Sequence, residues 1–252
     1  DNRRMSMVKV LSEYILSLGQ EAYVPNFFCK AYRPVLYIPS KEEVKELLQK
    51  MDIRTSHNSE QFRLDRECKI LFLLYFCCGL RLSEGRLLKW EHIDLDKGIL
   101  TVLGSKGNKD RLVYLPQDSL PVLKNYKERQ EMLFPGIDWA FPGKDPHKPV
   151  SCSGVDSSFN RHWAMLPVAR TVDKHPTPHC LRHAFVVERF NEWMHQGIDT
   201  NTMLPYLSRY LGHKSPDETY YYYHLVEKAF DTIREKDSVS GKVIPEVIPY
   251  EE

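Results

Sequence analysis

No stretch of this chain approaches the run of about 18 apolar residues that a membrane-spanning helix requires. The longest candidate, Ile70 to Leu80, is far shorter, so no membrane partner is expected. Cysteine is sparse and unpatterned. Cys29, Cys68, Cys77, Cys78, Cys152 and Cys180 form no Cys-x-x-Cys pair, which argues against a disulfide framework or a zinc ribbon and makes a reducing cytoplasm the expected setting. Neither a signal-peptide pattern nor a polybasic tract occurs in the sequence. No Ser-His-Asp wording, acidic metal cluster or phosphate-binding glycine loop stands out, which counts against an ordinary hydrolase or metal enzyme. A basic excess is also missing: 35 Lys and Arg against 34 Asp and Glu leave a net charge of +1, which by itself speaks mildly against a nucleic-acid partner.

The remaining composition, 42% apolar and 27% charged over 252 residues, is that of a globular chain able to bury one large core or two modest ones. Met5 to Leu18 has helical apolar spacing and meets Gly19, a fitting C-cap. Residues 21–39 are irregular and punctuated by Pro25, Pro34 and Pro39, the pattern of a linker. Ser40-Lys41-Glu42-Glu43 is a capping box opening a helix to about Met51, and a more hydrophobic helix follows from about Leu64 to Cys78. His92 to Leu95, Ile99 to Leu103 and Arg111 to Leu115 read as a three-stranded antiparallel sheet. Helices are expected again near Leu120–Met132, Ser153–Met165, Pro178–Gln196, Asn201–Leu211 and Pro216–Lys236, and Phe141 to Ser151 reads as loop.

Five short stretches carry, in order, an Arg, a Lys, a His with an Arg, a further His and a Tyr. They are Gly79-Leu80-Arg81-Leu82-Ser83-Glu84, Gly104-Ser105-Lys106-Gly107, His179-Cys180-Leu181-Arg182-His183, Leu211-Gly212-His213 and Tyr220-Tyr221-Tyr222-Tyr223-His224. Two guanidiniums, an ammonium and imidazoles can surround a phosphodiester while a phenol attacks it. Each stretch also has a plainer reading. Arg81, directly after an apolar helix, needs an anion; Glu84 could supply it as an ion pair serving stability alone. A lysine in a glycine-rich turn, Lys106 or Lys109, is often only solvated, although a mobile tip can carry a proton donor into a groove. Thr177 as N-cap and Pro178 at the first helical position would put His179 and Arg182 one turn apart at a helix N-terminus. His179 and His183 have a spacing that suits a metal, but Arg182 between them would repel a cation. His213 sits in a corner after Gly212, where a histidine is ordinarily structural. In a helix, successive residues turn by about 100°, so only one or two of Tyr220 to Tyr223 can face a shared cleft.

In order and wording these stretches resemble the catalytic domain of the tyrosine recombinases, also called phage-type integrases, over roughly residues 35–235. The resemblance implies an α+β, mostly helical fold with a small three-stranded antiparallel sheet. It implies Arg81 and Arg182 on the scissile phosphate, with Arg86 outside the matched position. Lys106, chosen over Lys109, would be the general acid, His179 a base or hydrogen-bond partner, and His213 a donor to a nonbridging oxygen. The family's spacing selects Tyr222 as nucleophile, ahead of Tyr221 and Tyr223, because it stands nine residues after His213 and two before His224. Glu84 and His183 would support the site, and Lys109 and Arg111 would contact DNA.

No metal, ATP or other cofactor is implied. Implied partners are a double-stranded DNA recombination site and further copies in a homo-tetramer on DNA, joined through the extended segment Lys242 to Tyr250 if it docks in trans. Residues 1–20 would be the last helix of an N-terminal core-binding domain, or a helix packed on the catalytic domain itself. Residues 21–39 would be the linker, 40–237 the catalytic domain and 238–252 the arm. A bacterial, phage or mobile-element origin follows from the resemblance. Two alternatives stay open: strand cleavage of the type IB topoisomerase kind, and a catalytically silent DNA-binding protein of the same fold.

Overall fold

The computed structural model describes residues 2–26, 37–54, 57–105, 109–172 and 175–223. The chain divides into two compact units, Asp1–Leu36 and Tyr37–Glu252. The first holds helix α1 (Asn2–Ser17), which carries exposed Met7, Val10 and Tyr14. No helix among the described residues is long and apolar enough to cross a membrane.

The second unit is built around one buried helix. Helix α2 (Lys41–Lys50) starts from the expected capping box: Glu43 N–H donates to Ser40 Oγ at 3.2 Å, and Ser40 N–H to Glu43 Oε2 at 2.8 Å. Helix α3 (Ser59–Cys78) begins five residues before the expected Leu64, because Asn58 Oδ1 accepts from the backbone of Glu60 and Gln61 and caps an earlier, more polar turn. Its apolar residues point in most directions, and Leu71, Phe72, Leu74 and Tyr75 are fully buried among neighbouring helices. One polar anchor interrupts this packing. Buried Asp65 accepts from Ser158 Oγ at 2.8 Å and from Arg161 through both carboxylate oxygens, which ties α3 to α6 (Cys152–Trp163).

Gly79 ends α3 in the left-handed region at φ +62. A Cβ there would stand 2.6 Å from Phe185 Cδ1, so the position demands glycine for space as well as for backbone angle. Gly79→Ala is expected to cost about 2–4 kcal/mol, the left-handed strain and the overpacking together. Urea denaturation of the two chains measures it. A five-residue helix, α4 (Leu82–Arg86), follows at once; the sequence reading had none here, since a single turn leaves no periodicity to detect.

Strands β1 (Ile93–Asp94), β2 (Ile99–Ser105) and β3 (Lys109–Tyr114) form the expected antiparallel sheet in the order β1-β2-β3. Leu100 pairs with Val113 and Val102 with Arg111, so these four side chains share one face. That face is the covered one: Leu100, Val102 and Val113 are buried, whereas Leu112 and Tyr114 on the other face are exposed. The remaining helices are α5 (Leu120–Leu133), α6, α7 (Cys180–His195), α8 (Thr200–Leu211) and α9 (Asp217–Tyr223). Helix α7 packs on α3. Phe185, Val186 and Phe190 of α7 join Leu204, Leu207 and Leu211 of α8 and Tyr222 of α9 in a second apolar cluster. The fold is α+β and mostly helical, with a single small antiparallel sheet among the described residues.

Candidate active site

A carboxylate organises the site. Arg81 caps α4 in extended backbone, and Glu84 three residues on accepts from Arg81 N–H and from Arg81 Nη1, both at 2.8 Å. The same two oxygens take a bidentate pair from Arg111, at 2.8 Å each, and Arg182 Nη1 lies 3.9 Å from Oε2. Burial pushes the Glu84 carboxyl up, but the bonds from Arg111 and Arg81 outweigh it and bring its pKa down to about 2. Three guanidiniums therefore face one carboxylate, an excess of positive charge with the geometry of an anion site.

Arg182 is the most deeply set of the three, with 2% of its surface exposed. Its Nη1 donates to Gly79 O at 2.6 Å and its Nη2 to Leu211 O at 2.8 Å. Both carbonyls stand where a helix ends in a left-handed glycine, Gly79 after α3 and Gly212 (φ +65) after α8. Gly212 O in turn accepts from Arg81 Nη2 at 2.6 Å. Two helix C-termini thus aim carbonyls at two arginines and hold them beside each other. Burial, and then the charge of Arg81, lower the Arg182 pKa to about 10, still protonated at neutral pH.

His213 follows Gly212, and its Nε2 lies 3.0 Å from Arg182 Nη2. Guanidinium nitrogens only donate, so Nε2 accepts here and Nδ1 carries the proton, donating to Thr219 Oγ1 at 2.7 Å. Tyr222, one turn further along α9, keeps its ring in the α7–α8–α9 cluster and brings its hydroxyl to the site edge, 2.6 Å from His183 Nδ1. Burial raises the phenol to about 12, an effect that Arg182 partly offsets. His183 is held down to about 3 by burial and then by His179, Arg182 and His213. The His179 ring packs edge-on against His183 at 4.6 Å between centroids, and its pKa too is lowered, by burial and by Arg182 and Arg81.

The structure therefore brings Arg81, Glu84, His179, Arg182, His183, His213 and Tyr222 into one neighbourhood. Lys106 lies outside the described residues, and of Lys109 only the backbone, at the start of β3, is described. Arg111, expected as a DNA contact, is bonded within the protein. On the covered face of β3, it spends its guanidinium on Glu84 and on Tyr210 O, with 10% of the side chain exposed. His179 is itself the N-cap of α7, two residues after the expected Thr177; Cys180 N–H bonds Thr177 O and Leu181 N–H bonds Pro178 O in a tighter turn. Arg86 turns away, donating to Val150 O at 3.1 Å. The contact that the sequence did not reveal is His183 to Tyr222, which depends on α7 and α9 lying side by side.

A cleft of about 430 Å³ borders the cluster, lined by Arg111, Arg209, Gly212, His213 and Lys214 among others. The larger cavity, about 560 Å³ between α3 and α5, contains none of the site residues.

Residues 40–229 match the model of the phage integrase family. Tyrosine recombinase XerC of Alcanivorax borkumensis is 29% identical over 225 residues, covering 88% of this chain and 68% of the relative. Tyrosine recombinase XerA of Pyrococcus furiosus is 33% identical over 190 residues, covering 75% of this chain and 57% of the relative. The crystal structure of XerH site-specific recombinase bound to a palindromic difH substrate, a post-cleavage complex, superposes with a TM-score of 0.66 at 21% identity, over 90% of this chain and 64% of that one. These relatives are thus longer than the portions this chain spans.

Proposed function

The chain belongs to the phage integrase family, the tyrosine recombinases, and from that premise we propose that it breaks and rejoins duplex DNA at a specific site through a covalent tyrosine intermediate. The observation that carries this reading is the arginine cluster around Glu84 with the Tyr222 hydroxyl at its edge. The Tyr222 oxygen attacks a phosphodiester in line, forming a 3′-phosphotyrosine and releasing a 5′-hydroxyl; Lys106 protonates that leaving oxygen. Arg81 and Arg182 offset the charge that builds on the nonbridging oxygens. Arg111 acts indirectly, fixing the carboxylate that orients Arg81.

His213 changes partners in this scheme. When a phosphate oxygen takes the Arg182 bond, Nε2 is released; with the ring proton moved there, it donates to the phosphate while Thr219 reverses its hydroxyl and donates to Nδ1. Fixed cations supply the stabilisation that a divalent metal supplies elsewhere, and the ester stores the bond energy, so neither metal nor ATP enters. The domain reading belongs to the same proposal: 1–20 a helix of a core-binding domain, 21–39 linker, 40–237 catalytic, and 238–252 an arm that docks on its own domain or joins copies in a tetramer.

Incubation with a nicked duplex carrying the recombination site, in excess EDTA, tests the function. The expected outcome is a protein–DNA adduct that survives denaturant. DNA binding without any adduct would favour the catalytically silent reading, and relaxation of supercoils without exchange between duplexes would favour the topoisomerase one.

A further inference from the structure

The nucleophile in this site is a poor acid. Burial holds the Tyr222 phenol at about 12, so it cannot ionise unaided near neutral pH and needs a proton acceptor within about 3 Å of its oxygen. Arg182 cannot serve, since a guanidinium has no acceptor, and His213 is bonded to Arg182 and Thr219. His179, the other imidazole of the motif, packs edge-on against the His183 ring. The nitrogen on the Tyr222 oxygen is His183 Nδ1, at 2.6 Å. We infer that His183 is the general base that takes the proton from Tyr222 as it attacks, and the acid that returns it when the strand is resealed. The inference rests on the reading of Tyr222 as nucleophile.

The surroundings suit this role. His179 and Arg182 from α7, and His213 ahead of α9, face His183 and disfavour its charged form; Arg81 and the α9 residues Glu218 and Tyr221 act on Tyr222 beside it. His183 is therefore neutral before DNA arrives, and as the base it takes the tautomer with its proton on Nε2, which leaves the Nδ1 lone pair to the phenol. A scissile phosphate bound by Arg81 and Arg182 adds negative charge to the same pocket, and more accumulates as the oxygen attacks. The proton affinity of His183 thus rises as it is needed. In the forward step the Tyr222 O–H bond breaks, its proton moves to His183 Nδ1, the Tyr222 O–P bond forms and the P–O5′ bond breaks, the departing oxygen taking a proton from Lys106. Resealing reverses each transfer, so no proton is left over.

Single-turnover capture of saturating nicked duplex, followed across pH, distinguishes a base from a mere support. In His183→Asn the side-chain oxygen can still accept the phenolic hydrogen bond but cannot hold the proton. Capture is expected to slow by about a hundredfold or more with DNA affinity unchanged. His183→Gly leaves space for a small base, and added imidazole should restore capture, with substituted imidazoles restoring more as their basicity rises. A native rate and pH profile in His183→Asn overturns the assignment, as does a His183→Gly chain that binds DNA but gains nothing from any imidazole. Capture persisting in Tyr222→Phe would instead overturn the underlying reading of the nucleophile.

Discussion

Tyr222→Phe is expected to bind duplex DNA as tightly as the native chain and to form no covalent adduct with it. The phenylalanine ring fills the same place among Phe185, Leu204, Leu207 and Leu211, so the α7–α8–α9 packing is kept. The loss is one oxygen, and with it the bond to His183 Nδ1, worth about 1 kcal/mol in stability. Chemically the loss is complete, because no charge stabilisation from Arg81 or Arg182 can replace an absent nucleophile. Tyr220 is no substitute: it is largely exposed and its hydroxyl points to Asn201 Oδ1 at 3.2 Å. Denaturing electrophoresis of labelled nicked DNA, beside a binding titration, measures both halves of the expectation.

Glu84→Gln is expected to destabilise the fold by about 3–5 kcal/mol, the cost of leaving buried positive groups without their carboxylate. Native Glu84 has 6% of its side chain exposed and meets Arg81, Arg111 and Arg182, all of which the neutral amide fails to balance. The pH dependence follows from the sign of its shift. A carboxyl whose pKa falls from the ordinary 4.5 to about 2 on folding adds stability, about 3 kcal/mol, that is fully present above 4.5 and disappears as pH drops towards 2. The stability gap between native chain and variant should therefore be constant from neutral pH to about 5 and close over that acid window. Urea midpoints at several pH values report it. Because Arg81 loses the carboxylate that orients it, covalent capture by the variant should also fall by about a hundredfold.

Much of this site was legible because its determinants are local. Glycines after apolar helices announced the corners that hold Arg81 and His213, and Glu84 three residues beyond Arg81 is within reach by spacing alone. The antiparallel sheet followed from alternation and turn residues. Arg111 shows what a surface reading of charge overlooks. It shares parity with Val113 and Leu115, so strand periodicity alone directs it inward with them, where Glu84 meets it. The onset of α7 slipped by two residues because both a Thr177 cap and a tight turn ending at His179 satisfy the same backbone donors. Nothing local could reveal His183 against Tyr222: the two are joined only by how α7 and α9 pack, across 39 residues of chain.

The most direct measurement digests the denaturant-stable protein–DNA complex and identifies the peptide that carries the nucleotide. The account predicts a phosphodiester on the Tyr222 oxygen linked to a 3′ end, with a free 5′-hydroxyl on the other strand fragment. A nucleotide on Tyr221, Tyr223 or a serine, or a linkage to a 5′ end, would contradict it.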